Sequence, residues 1–226
     1  MSTEPEIAEA SLEPPDAPAP TEAAAPDDEE EHDWAAYYRY TLGREPRPLF
    51  SRGLEAVAAA GLEPGLAIDV GAGDGTETLR LLEAGWRVWS VDSAPASAEV
   101  LVPRVPETLR DRLEIHTVAA DALDLPPFDL LYSAYVLSYL PPEAFHRLWA
   151  MARDRLRPGG FLVVNIFGDR HESAAEPDTT FLPRADVQAL LEGLETIVFD
   201  EIEEEGGSFR GPIHWHLYDI VARRPG

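Results

Sequence analysis

The segment Ala67-Ile68-Asp69-Val70-Gly71-Ala72-Gly73-Asp74-Gly75-Thr76 runs from a short apolar stretch through an acid into three glycines at alternate positions. Alternate glycines let a backbone turn sharply and approach a ligand where a Cβ would collide. If a helix starts at Thr76, its free amides and positive dipole end face the same ligand. A dinucleotide fingerprint would read Gly-x-Gly-x-x-Gly, but here the third glycine is Gly75, one place early, and Thr76 takes the expected position. Asp69 at the strand end suits a ligand carrying an ammonium or sulfonium cation and would oppose a pyrophosphate. The charge argument therefore favours S-adenosylmethionine over a nicotinamide or flavin dinucleotide.

Further residues could complete such a site. Val91-Asp92-Ser93 ends a second apolar run about 21 residues beyond Gly71, where an acid accepts both hydroxyls of a ribose. Arg44 and Arg47 follow a cluster of aromatic residues, Trp34, Tyr37, Tyr38 and Tyr40. A guanidinium fork matches a carboxylate, and Arg47 is the preferred partner for a cofactor carboxylate. Trp34, Tyr37 and Tyr38 would form a lid over the site or anchor their helix on the sheet. Ser133 and Tyr135 follow a later strand, and Tyr135 is expected to face the transferred group. His171, in the loop Gly168-Asp169-Arg170-His171-Glu172, and the pair His214 and His216 are the candidate bases. His214 and His216 sit two apart on an expected strand, so they share a face and Trp215 takes the other. No third ligand accompanies them, and no metal is expected.

The elements needed to position these residues alternate. Strands are expected at Leu66 to Val70, Arg87 to Asp92, Leu113 to Val118, Phe128 to Ser133 and Phe161 to Phe167. Helices are expected at Leu49 to Ala60, Thr76 to Ala84 and Pro142 to Leu156, the last stopped by the turn Pro158-Gly159-Gly160. Such alternation implies right-handed crossovers and a doubly wound, mostly parallel α/β sheet. Ile197 to Glu205 and His214 to Ala222 have no helix-length insert between them, so an antiparallel hairpin closes the sheet.

Asp69-Val70-Gly71-Ala72-Gly73-Asp74-Gly75 resembles motif I of the class I S-adenosylmethionine-dependent methyltransferases. Asp121-Ala122 resembles that family's adenine-contacting pair. Phe128-Asp129-Leu130-Leu131 and Leu156-Arg157-Pro158-Gly159-Gly160-Phe161 resemble its fourth strand and the turn before its fifth. The resemblance implies a Rossmann-like, seven-stranded sheet. It implies a cofactor held by Tyr38, Arg47, Asp69, Gly71, Ala72, Gly73, Gly75, Asp92, Ser93, Asp121, Ala122 and Ser133. It also implies direct in-line methyl transfer to a small molecule. Tyr37-Tyr38, Gly43-Arg44-Glu45-Pro46-Arg47 and His214-Trp215-His216 resemble the tellurite-resistance-like subgroup. Two other readings use the same residues: a regulator or scaffold that binds the cofactor without turnover, and a nicotinamide oxidoreductase.

Composition narrows the field. The 226 residues contain no cysteine, which excludes disulfides, thiolate metal sites and a cysteine nucleophile. The formal net charge is −24, and twelve of the 42 acidic residues fall in Met1–Asp33, which has no Arg or Lys. All 18 basic residues are Arg. A surface this acidic repels a polyanion, so nucleic acid is not an expected partner. The Pro- and Ala-rich stretch 1–33, with Asp27-Asp28-Glu29-Glu30-Glu31, is expected to be a disordered tail before a domain spanning 34–226. No apolar run is long enough to cross a bilayer and the N-terminus does not look like a signal peptide, so a cytoplasmic protein is expected.

Overall fold

The computed structural model describes residues 34–208 and 211–226. The expected tail, 1–33, lies outside the described residues. Thirteen regular elements follow one another. They are α1 (Trp34–Thr41), α2 (Pro48–Ala59), β1 (Leu66–Val70), α3 (Thr76–Glu83), β2 (Arg87–Asp92), α4 (Pro95–Leu101), β3 (Leu113–Thr117), β4 (Phe128–Ser133), α5 (Pro142–Arg155), β5 (Leu156–Phe167), α6 (Arg184–Leu190), β6 (Glu195–Ser208) and β7 (Gly211–Arg223).

The strands form one seven-stranded sheet in the order β3-β2-β1-β4-β5-β7-β6. β1 to β5 are parallel, while β7 runs antiparallel to β5 and β6. The fold is therefore doubly wound, with its topological switch between β1 and β4. That is the edge where open α/β sheets take their ligands.

Side-chain alternation along the strands divides the core in two. On one face Ile68, Val70, Leu131, Leu162 and Val164 pack against Phe145, Leu148 and Trp149 of α5 and Val187 of α6. On the other, Ala67, Val88, Leu130 and Val163 pack against Leu49, Phe50 and Val57 of α2, Leu81 and Leu82 of α3 and Leu101 of α4. Gly53 of α2 is required by this packing, because a Cβ there would lie 2.7 Å from Val163.

Two expectations change. The segment Pro158-Gly159-Gly160, expected to be a turn, is part of β5, which starts at Leu156. Its partner register on β4 jumps between Phe128 and Leu130, so the proline sits at a bulge where its missing N–H breaks no ladder. Two further helices, α4 and α6, each of seven residues, lie in stretches where the sequence pattern marks none.

Candidate functional site

β1 delivers the chain into the glycine loop at the switch point. Gly71, Gly73 and Gly75 all adopt left-handed backbone, with φ of 76°, 55° and 75°. Gly71 and Ala72 both donate to the carbonyl of Val91, at 2.8 and 3.0 Å, so the loop is tied to the tip of β2. Close approach is real on both sides of it. A Cβ on Gly71 would lie 2.0 Å from Val136, and one on Gly75 would lie 2.5 Å from Leu101.

Asp92 stands at the tip of β2, half-buried. One carboxylate oxygen accepts from the Gly73 amide at 2.9 Å. The other accepts from the Ala94 amide and from the Tyr38 hydroxyl, each at 2.9 Å. Burial and the Asp92 charge push the Tyr38 phenol far above its ordinary pKa, so it remains a donor. Tyr38 stacks on Trp34 at 6.0 Å and is buried against the loop, 3.4 Å from where a Gly73 Cβ would stand. α1 therefore covers the glycine loop and occupies a ribose-type acceptor. Ser93 follows Asp92 and is exposed.

Asp69 does not face the ligand edge as expected. Alternation puts it on the same face as Ala67, under α3, where it is 1% exposed and accepts from the Thr78 hydroxyl at 2.5 Å. Burial and the neighbouring Glu77 charge push its carboxyl up to about 7. A carboxyl raised in this way is only partly ionised near neutral pH and does not supply the full negative charge expected of it.

The two arginines part company. Arg44 grips Asp74 of the loop at 3.1 Å and Glu77 of α3 at 2.7 Å, both buried acids. Arg104 donates to the Asp74 carbonyl from the other side. The Arg47 guanidinium lies 4.6 Å over the Tyr135 ring. Among the described residues it makes no hydrogen bond or ion pair, whereas its backbone amide donates to Glu77 at 3.0 Å. The arginine expected to reach a carboxylate is thus the one left able to do so.

Tyr135 is the single non-glycine residue with left-handed backbone among the described residues, at φ 58°. Its amide donates to the Asn165 side chain at 2.7 Å, and its ring meets Trp215 edge-on at 5.4 Å. Left-handed backbone at a bulky residue is strained and persists where surrounding contacts over-determine it. Ser133 is fully buried and donates to the Val70 carbonyl at 3.0 Å, joining the tips of β4 and β1 rather than opening toward a ligand.

The 3-10 turn Ala120–Ala122 lies beside the β2 tip, because Val118 donates to the Asp92 carbonyl at 2.9 Å; Asp121 and Ala122 are exposed there.

The three candidate bases are not equivalent. His214 contacts Glu205 at 2.7 Å and Glu203 at 3.3 Å, and these acids hold its imidazole above its usual pKa. His216 is 0% exposed, accepts from the Arg170 amide at 2.9 Å and shares its other ring nitrogen with Glu201 at 3.1 Å. Both rings are committed to protein partners, so neither fits the base role expected of it. His216 instead fixes the turn after β5. A Cβ on Gly168 would come 2.0 Å from its Nδ1. His171, on that turn, is buried among aromatic rings, and burial holds its imidazole below its ordinary pKa.

Comparison with known proteins bears on the fold and the matched domain. Residues 67–160 match a family described as a methyltransferase domain. TehB from Haemophilus influenzae superposes with a TM-score of 0.66 at 17% identity, covering 84% of this chain and 67% of that one. The 1,6-didemethyltoxoflavin-N1-methyltransferase from Burkholderia thailandensis gives 0.58 at 23% identity, covering 93% and 95%. This is the methyltransferase fold. A carboxy-S-adenosyl-L-methionine synthase from Ectopseudomonas mendocina is 34% identical over 121 residues, covering 48% of this chain and 47% of that protein. The corresponding Pseudomonas putida protein is 30% identical, covering 52% of each. The chain spans about half the length of the curated relatives it matches.

Within the methyltransferase fold, several site residues carry no motif. Asn165, Thr78 and Glu77 hold Tyr135, Asp69 and Arg44, and only their position in space reveals them. Val136 packs on Gly71, so Gly71→Ala would combine left-handed strain with overpacking. We expect it to cost roughly 2–3 kcal/mol of stability in chemical denaturation. A change below about 0.5 kcal/mol would show that the loop and Val136 separate freely.

Proposed function

We propose that this chain is an S-adenosylmethionine-dependent methyltransferase acting on a small molecule. The observation that carries the reading is the left-handed glycine loop Gly71–Gly75 tied to a β2 tip that ends in Asp92. The residues present fit that cofactor. The glycine backbone leaves no Cβ in the way, and Asp92 offers acceptors for a ribose once Tyr38 yields its place. Arg47 has an uncommitted guanidinium for a carboxylate. The names of the curated relatives support a cofactor of this kind, and the methyltransferase domain match covers the loop and Asp92.

When bound, the cofactor supplies a methyl group on a sulfonium. Held by Asp92 and Arg47 against the glycine loop, it would offer that methyl group directly to an acceptor placed in line. The protein then has no nucleophile to provide; its work is positioning and exclusion of water. Asp92 and Arg47 would orient, the Cβ-free loop would allow close approach, α1 would cover, and Tyr135 would present an aromatic face to a centre losing positive charge. A resemblance to tellurite-resistance proteins is carried by TehB among the structural neighbours, and it leaves the acceptor atom open.

The test is calorimetric titration of S-adenosylmethionine, S-adenosylhomocysteine and NADH into the protein. Binding of the first two without NADH is the expected result. Binding of NADH alone would replace this reading with an oxidoreductase.

A further inference from the structure

The ligand edge of β4, β5 and β7 carries an aromatic box with a polar atom that no hydrogen bond among the described residues uses. Phe167 ends β5 and touches Tyr135 at 6.3 Å, Phe181 at 6.0 Å and Trp215 at 5.9 Å. His171 completes it, stacked on Phe167 at 4.7 Å with the rings 15° apart and set edge-on to Trp215 at 5.2 Å. The box is rigid on two sides. Thr180 donates to the carbonyls of Ser138 and Leu140, each at 2.7 Å, and Leu182 donates to Phe167, which pins Phe181 between them. His216 anchors the turn that carries His171 through the Arg170 amide.

His171 is 5% exposed. Its Nδ1 accepts from the Ser173 amide at 3.1 Å, so the neutral ring carries its proton on Nε2. That Nε2 is buried and has no hydrogen-bond partner among the described residues. A buried, unpaired donor is costly, and phenylalanine would fill the same space among these rings without the cost. The histidine is therefore set as a donor rather than as a base. Positive charge at the edge of the box comes from Arg47, whose guanidinium stands over Tyr135.

Resting on the methyltransferase reading, we infer that the acceptor is a planar aromatic compound bearing an anionic or carbonyl oxygen. Its ring parts Tyr135 from Trp215, which meet edge-on at 5.4 Å in the empty box, and its oxygen then accepts from His171 Nε2–H. Stacking favours a flat ring over a saturated one. The Nε2–H donor favours an oxygen acceptor and disfavours a cation, while Arg47 is left to the cofactor carboxylate. An acceptor already ionised needs no base, which agrees with a histidine whose proton points at the ligand.

The test uses the full chain and 4-nitrophenolate as the probe. Cyclohexanecarboxylate serves as the saturated anion and phenyltrimethylammonium as the aromatic cation. Each is titrated calorimetrically, with and without saturating S-adenosylhomocysteine. We expect 4-nitrophenolate to bind at least about tenfold more tightly than either control. His171→Phe, which keeps the stack, should lower that affinity about tenfold, and His171→Gln, which keeps an N–H, should recover most of it. In 15N-resolved imidazole spectra the Nε2 proton of His171 should move on adding the probe. Equal affinity for the three probes, or no effect of His171→Phe, overturns the inference while leaving the methyltransferase reading intact if S-adenosylhomocysteine still binds. The reverse pattern is equally clear. His171-dependent binding of nitrophenolate without any binding of S-adenosylhomocysteine keeps the box and removes the methyltransferase reading.

Discussion

Replacing Asp92 with alanine is expected to weaken S-adenosylhomocysteine binding about 100-fold or more. Two ribose hydroxyls donating to a carboxylate are worth roughly 1.5–3 kcal/mol each, and both go at once. The same change frees the Gly73 and Ala94 amides, so thermal unfolding must be followed alongside calorimetry to separate a lost contact from a loosened loop. Tyr38→Phe provides the complementary arm. It leaves Asp92 in place and removes the hydroxyl that competes for one of its oxygens, so affinity should rise by up to about tenfold. Weaker binding in Tyr38→Phe would make the hydroxyl part of the cofactor contact. Unchanged binding in Asp92→Ala would remove the ribose assignment.

Asp69→Asn is expected to stabilise the protein at pH 8 and to leave it unchanged at pH 3. The folded carboxyl is raised to about 7 by burial, whereas an unfolded aspartate titrates near 3.9. Below the unfolded value both states hold the proton and nothing is gained or lost. Between about pH 4 and 7 the unfolded chain releases its proton first, so stability falls as pH rises, and above 7 the loss is complete. The ceiling on that loss is about 4 kcal/mol. Asparagine keeps an oxygen for the Thr78 hydroxyl and removes the titration. Parallel denaturation curves at pH 3 and 8 check this; a variant no more stable than the parent at pH 8 would mean that Asp69 is ionised at little cost.

The fold was largely legible in the sequence for a physical reason. β1, β2 and β4 lie inside the sheet, so they read as short apolar runs with glycine, proline or an acid at one end or the other, and their expected bounds coincide with the observed ones. α4 and α6 escaped because seven residues give too little periodicity, and Pro103 and Pro106 break up the stretch that follows the first of them. β5 began early because a bulge accommodates Pro158, and no sequence rule marks where a ladder tolerates one.

The site was legible only in its backbone half. The glycine loop and Asp92 declare themselves through spacing, and Arg47 and Tyr135 through position after an element. Asp69 misled because a strand residue's face is set by alternation against neighbours, not by its place at the strand end. His171 gained its meaning from Phe167, Phe181 and Trp215, three rings brought together from separate stretches of chain. His214 and His216 looked active because they were paired, and the structure gives each its own acidic neighbour.

The grip of Arg44 on Asp74 and Glu77 joins the turn before α2 to the loop thirty residues later. The matched region, 67–160, thus excludes a residue on which its own loop leans, and a fragment cut at its margins would lose that brace. The same division leaves Arg47, Asn165, Phe167, His171, Phe181 and Trp215 outside the shared stretch. On the proposed reading, the matched stretch holds the glycine loop and Asp92 of the cofactor side, whereas most of the surface offered to an acceptor is built from chain on either side of it.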